Sequence, residues 1–267
     1  MTWNPAQYLQ YEGERLRPAL DLVARIPLDA PRSVVDLGCG AGNVARILAA
    51  RWPTARIAGI DGDEAMLARA RAATASNPRY TWTRADIGAW RPDAAPDVVF
   101  SNAALHWLDD HRRLFPRLME SVAPGGVLAV QMPDNFEAPS HVALFETAQS
   151  ARWAPRLSTL VRAHPVSPLA DYHAWLAPHA VTLDLWRTTY VQLLTDRDDG
   201  EHPVVAWLRG AALTPFLAVL PAAEQDAFVA DYASRVAPAY PRGDNGTTLF
   251  PFSRIFIVAQ RSGHLTT

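Results

Sequence analysis

Residues 33–132 alternate between short apolar runs and helical stretches, and this alternation constrains the fold more than any other feature. SVVDL (33–37), ARIAGID (55–61), RYTWTRAD (79–86), PDVVFSN (96–102) and VLAVQM (127–132) have the length and β-branched or aromatic content of strands. Between them, NVARILAARW (43–52) places Val44, Ile47, Leu48 and Trp52 at helical spacing. DEAMLARARAATA (63–75) is rich in strong helix formers, and Asp63 and Glu64 suit its first turn. HRRLFPRLMESV (111–122) is a third helix, stopped by APGG. Strands separated by helices pair in parallel, with right-handed crossovers that cover both faces of the sheet.

After Met132 the pattern loosens. A loop, PDNFEAPS, leads to a helix within 140–165 and another over 171–180. VTLDLWRTTYVQLL (181–194) reads as a long strand, 203–238 as two helices broken near Pro215 to Pro221, and RIFIVAQR (254–261) as a closing strand. The expectation is one α/β domain over 1–267. Its core at 30–135 would bind a ligand, and helical insertions at about 138–180 and 200–245 would cap the carboxyl edge of the sheet.

Composition narrows the chemistry. Hydrophobic residues make up 49% and charged residues 19%, the balance of a globular domain, and a net charge of -2 offers no basic surface for nucleic acid. All 25 basic residues are arginine, so no lysine can serve as a P-loop cation, Schiff base or ammonium. Cys39 is the single cysteine, which excludes an internal disulfide and a multi-cysteine zinc site and suits a small filler in its turn. The first residues lack a basic segment followed by an apolar one, and the apolar run 203–222 is interrupted by Arg209 and three prolines. A cytoplasmic monomer without membrane or nucleic-acid partners is expected.

The ligand follows from the turn after the first strand. A dinucleotide fingerprint counted from Gly38 needs glycine at 38, 40 and 43, but residue 43 is Asn43. The run instead reads D-x-G-x-G-x-G through Asp36, Gly38, Gly40 and Gly42. A carboxylate beside the turn favours a cation over a pyrophosphate, and S-adenosylmethionine carries an ammonium and a sulfonium. Asp61, ending the second strand, can accept from both ribose hydroxyls of an adenosine, or cap the next helix. Met66 can pack on the adenine or simply in the core. Asp86 can accept from the adenine amino group or cap its own turn, and Ile87 can cover the ring. Asn102 ends the fourth strand beside the expected point of transfer.

These four strand ends, in order and spacing, resemble the class I S-adenosylmethionine-dependent methyltransferases. The resemblance implies a Rossmann-like, seven-stranded, mainly parallel sheet whose last strand is antiparallel and inserted between strands five and six. WNPAQYLQYEGERLRP (3–18), NAALHWLDDH (102–111), PGGVLAVQMPDN (124–135) and LFPFSRIFIVAQR (249–261) are similar to the trans-aconitate 2-methyltransferase branch. That branch implies methylation of a tricarboxylate on one carboxylate, with S-adenosylhomocysteine as co-product and no catalytic residue beyond those that position the reactants. Without lysine, arginine must grip the other carboxylates, and Arg254 with Arg15 or Arg17 is the expected clamp. Tyr8, Tyr11, Trp107 and His141 are candidate pocket walls or donors.

Plainer roles exist for these residues: solvated helix charges for Arg15 and Arg17, an ion pair for Arg254, and core packing for Tyr8 and Trp107. His106 and His111 flank two aspartates, a pattern that more often marks solvated polar residues than a metal site. Another small acid or a hydroxylated metabolite remains an alternative acceptor. A nicotinamide-dependent oxidoreductase and a non-catalytic binding protein are the readings from other classes.

Overall fold

The computed structural model describes residues 12–263 apart from 76, 163 and 197, and residues 12–15 as backbone only. Its strands are β1 (Ser33–Leu37), β2 (Arg56–Asp61), β3 (Tyr80–Arg84), β4 (Val98–Asn102), β5 (Val127–Pro133), β6 (Ala180–Thr195) and β7 (Thr247–Arg261). They form one sheet in the order β3-β2-β1-β4-β5-β7-β6. β1 runs parallel to β2 and to β4, with Val35 opposite both Ala58 and Val99. β5 is parallel to β4 and antiparallel to β7, with Val130 opposite Ser101 and Ile257. The inserted antiparallel strand is therefore present, as the resemblance implied.

Burial explains the central strands. Val34, Val98, Val99, Phe100, Val127, Leu128 and Ala129 are at most 1% exposed. Removing each larger one from water contributes roughly 1.5–3 kcal/mol. Strand order reverses between β1 and β4, which stay parallel: β2 and β3 lie on one side of β1, and β4 and β5 on the other. Such a switch point opens a crevice at the carboxyl ends of the strands. Helices α1 (Glu12–Ala24), α2 (Asn43–Arg51), α3 (Glu64–Thr74) and α4 (His111–Ser121) accompany this part of the chain. Asp63 caps α3 by accepting from the amides of Ala65 and Met66, a contact of about 1 kcal/mol.

The chain divides into two compact units. The sheet unit comprises Arg15–Pro133, Pro165–Thr188 and the residues from Arg254 onward; the second comprises Asp134–His164 and Thr189–Ser253. Residues 165–188, which the sequence reading placed largely among the cap helices, thus belong with the sheet. They include α7 (Leu169–Leu176), while the second unit holds α5 (Pro139–Gln149), α6 (Ala154–Leu157), α8 (Pro203–Arg209), α9 (Thr214–Val219) and α10 (Ala222–Val236). The helix expected within 140–165 breaks after Gln149, where Ser150 is extended and Pro155 opens a short new turn.

The second unit has its own core. Leu144, Trp153, Val204, Trp207, Phe216, Phe228, Tyr232 and Phe250 form one buried cluster. Trp153 meets Phe228 edge-on at 5.4 Å and donates its indole N–H to Asp231 at 2.8 Å. Tyr232 donates its hydroxyl to the Ser140 carbonyl, which ties α10 to α5. β7 begins at Thr247, seven residues before the expected start at Arg254. Its ladder with β5 runs only from Arg254 to Gln260, so the missing N–H of Pro251 removes no bond from it.

Candidate active site

The turn after β1 is shaped by close approach. Gly38 has φ of 76°, and a Cβ there would lie 2.2 Å from the Cβ of Ala104, just beyond β4. No side chain fits at 38, so the exits of β1 and β4 touch. Gly40 has φ of 52°, and a Cβ there would meet nothing within 4 Å, so this glycine faces open space where a ligand can lie on the backbone. Ala103 has φ of 53°, a strained conformation for alanine held by its amide donating to the Gln131 carbonyl at 2.9 Å.

Acids flank the turn. Asp61 accepts from the Gly40 amide at 2.8 Å through Oδ2 and from the Asp63 amide at 2.9 Å through Oδ1. It fixes the turn while each oxygen keeps further acceptor capacity, and the α3 cap is Asp63. Asp36 is 1% exposed. Burial, reinforced by the neighbouring Asp61 carboxylate, pushes its carboxyl up to about 7. Asp36 Oδ2 is buried and has no hydrogen-bond partner among the described residues.

Polar atoms continue along the strand ends. Ser101 Oγ donates to the last carbonyl of β1, Leu37, at 2.8 Å. Asn102 stands opposite Gln131 across β4 and β5, and Asn102 Oδ1 and Gln131 Nε2 are both buried without a hydrogen-bond partner among the described residues. Gln131 Oε1 accepts from Arg254 Nη1 at 3.2 Å, and Arg254, opposite Pro133, is 7% exposed. The carboxyl edge thus reads acid, amide, amide, guanidinium across β1, β4, β5 and β7. Buried polar groups of this kind are ordinarily satisfied, so the open atoms of Asp36, Asn102 and Gln131 among the described residues point to a ligand. It suits a molecule with positive charge over β1 and negative charge toward β7.

A methyltransferase-domain family matches residues 34–126. The trans-aconitate 2-methyltransferase of Azoarcus sp. strain BH72 is 45% identical over 260 residues, covering 97% of this chain and 99% of its own. That of Methylobacterium nodulans is 46% identical over 261 residues, covering 97% and 98%. The chain belongs to the trans-aconitate 2-methyltransferase family. Among solved structures, the YcgJ protein from Bacillus subtilis aligns with a TM-score of 0.59 at 15% identity, covering 92% of this chain and 98% of its own. A Haemonchus contortus phosphoethanolamine N-methyltransferase 2 bound to S-adenosylhomocysteine aligns with a TM-score of 0.55 at 17% identity, covering 92% and 52%. These structures share the fold.

In this trans-aconitate 2-methyltransferase family member, the sheet unit brings Asp36, Gly38, Gly40, Asp61, Asn102 and Arg254 to the carboxyl edge. Asp86 is exposed, and its Oδ1 caps its own turn by accepting from Gly88 at 2.8 Å, which leaves its second oxygen for a ligand. Ile87 is half-buried, with its Cδ1 3.7 Å from the Cβ position of Gly38. Met66 is 3% exposed, the burial of a core side chain. Trp107 is 50% exposed on a 3-10 turn after β4, with its ring 4.9 Å from that of His106. Arg17 is exposed on α1. Tyr8, Tyr11 and the side chain of Arg15 lie outside the described residues.

His141 belongs to the second unit. It is 6% exposed among Phe136, Phe145 and Phe252, and burial pushes it down to about 4, so it is neutral. The His111 ring sits between the Tyr172 hydroxyl, 2.7 Å from Nδ1, and the Leu105 carbonyl, 3.0 Å from Nε2. This is a packing role, and no group of metal-binding side chains occurs among the described residues.

Gln131, Ser101 and Ala104 escaped the sequence reading. Gln131 had a findable signal, since it is the one polar residue in the otherwise apolar run VLAVQM. Ala104 had none, because its role is its contact with a glycine 66 positions earlier.

Proposed function

We propose that this protein transfers a methyl group from S-adenosylmethionine to a carboxylate of trans-aconitate, giving the monomethyl ester and S-adenosylhomocysteine. The observation that carries this reading is the polarity of the strand-end row. An ionisable acid, Asp36, lies at the β1 end, and a buried guanidinium, Arg254, lies at the β7 end.

The site fits the donor. Gly40 offers backbone without a side chain, Asp36 Oδ2 is open to an ammonium, and Asp61 can accept from ribose hydroxyls. When bound, S-adenosylmethionine supplies a methyl already activated by the sulfonium. The protein needs no general base, because an acceptor carboxylate is ionised near neutral pH. What remains is positioning and exclusion of water. Arg254 holds a carboxylate that is not methylated, and its contact with Gln131 fixes the guanidinium plane. Asn102 separates the two charged ends and lines the point of transfer.

A methyl-transfer assay over a panel of di- and tricarboxylic acids tests this. S-adenosylhomocysteine and a monomethyl ester should form with trans-aconitate well above the other acids. Turnover led by another acid would replace the acceptor and keep the chemistry.

A further inference from the structure

The turn after β3 is held from two directions. From within, Asp86 Oδ1 accepts from the Gly88 amide at 2.8 Å, and the Asp86 carbonyl accepts from the Ala89 amide at 3.2 Å. From outside, Arg117 on α4 donates through Nη2 to the Gly88 carbonyl at 2.5 Å and through Nη1 to the Trp90 carbonyl at 2.7 Å. Gly88 is therefore gripped at its N–H by the acid and at its C=O by the guanidinium. The cation also interacts with the Asp86 carboxylate, while burial and the nearby Arg91 cation lower its pKa. A partly buried arginine that gives two donors to backbone carbonyls is a costly way to cover a surface loop. It is an effective way to fix a loop's shape, because the planar fork sets two distances at once.

We propose that Arg117 is the positioning residue of the adenine pocket. By fixing the carbonyls of Gly88 and Trp90, it sets the direction in which Asp86 presents its second oxygen to the exocyclic amino group. Arg117 does not touch the nucleotide. It determines how sharply an amino-purine is told from a 6-oxo purine, whose carbonyl the carboxylate would repel. This rests on S-adenosylmethionine being the donor.

Calorimetry of the full chain with S-adenosylhomocysteine and S-inosylhomocysteine tests it. The wild type should prefer the adenosyl compound by roughly tenfold or more, the worth of one charge-assisted hydrogen bond. Arg117→Met should weaken the adenosyl compound about tenfold and the inosyl compound little, so the preference collapses. Arg117→Lys, with a point charge that cannot span both carbonyls, should fall between, and it carries the same comparison if the methionine variant does not fold. In kinetics, KM for S-adenosylmethionine should rise while kcat at saturation holds. An unchanged preference, or equal weakening of both compounds as general loosening would give, overturns the proposal. A wild type that binds neither compound overturns the methyltransferase reading and this inference with it. Tight binding without trans-aconitate turnover would sink only the acceptor.

Discussion

Asp36 and Arg254 are the two buried charges of the sheet's carboxyl edge, and the protein treats them differently. Arg254 is braced: Gln131 Oε1 accepts from its Nη1. Asp36 is left open, with Oδ2 lacking a partner among the described residues and a second carboxylate, Asp61, close enough to raise its pKa. The acid end stores unfavourable free energy that a cationic ligand relieves. The guanidinium end is set in advance by its amide contact. Tight donor binding and a fixed acceptor geometry thus arise from opposite treatments of buried charge.

The largest effect should come from the braced end. Arg254→Ala should lower kcat/KM for trans-aconitate by about 30- to several-thousand-fold, the 2–5 kcal/mol of a truncated buried charge contact, with S-adenosylhomocysteine affinity retained. An unchanged KM for the acid would break the comparison.

Asp36→Asn should act on the other end and in two directions. Donor affinity should fall roughly tenfold or more, while the ligand-free protein gains about 1–3 kcal/mol at pH 8. The sign follows from the raised carboxyl. An acid whose folded pKa lies above its unfolded 3.8 stabilises the fold below that value and loses this contribution as pH rises through about 7. Thermal melts of both proteins at pH 5 and pH 8 check it, and a variant less stable than wild type at pH 8 would remove the claim of stored free energy.

Donor affinity should carry the same signature. The cation prefers ionised Asp36, so affinity should rise several-fold from pH 6 to pH 8 and level above about 7, with a proton released on binding. Titrations in buffers of different ionisation enthalpy read that proton directly, and a flat profile would argue that Asp36 stays ionised in the free protein.

The smallest effect belongs to the brace. Gln131→Met should raise KM for trans-aconitate about threefold with kcat held, because Arg254 loses its orientation and keeps its charge. Gln131→Glu should be worse, since its carboxylate would occupy the guanidinium. Equal behaviour of the two variants would reduce Gln131 to a filler.

The acid end was legible in the sequence because its parts are local. Asp36, Gly38 and Gly40 lie within five residues, Asp61 ends a strand whose apolar run announces it, and Asp86 follows two residues after the end of β3, which stops at Arg84 and not at the expected residue 86. The other end was half legible. Arg254 stood out as a cation before an apolar run, but its brace lies 123 residues away, and only the antiparallel register makes them neighbours. The early part of β7 was hidden by Pro251, which ordinarily argues against a strand and is tolerated where no β5 ladder bond is needed. The helical segments after residue 134 carry no ligand signature. Their spacing shows helices, while the grouping of 165–188 with the sheet rests on long-range contacts such as Tyr172 with His111.

β7 also sets an order of assembly. It is the last strand along the chain, yet it lies between β5 and β6, which precede it. β6 therefore has no place in the sheet until β7 arrives, and the pairing that brings Arg254 to the edge closes a loop back to Pro133. The strands that carry Asp36, Asp61 and Asn102 close over much shorter spans. A nascent chain can shape its donor pocket early and acquires its grip on the acid only at the final step, so a partly made enzyme would bind its methyl source with nothing to spend it on.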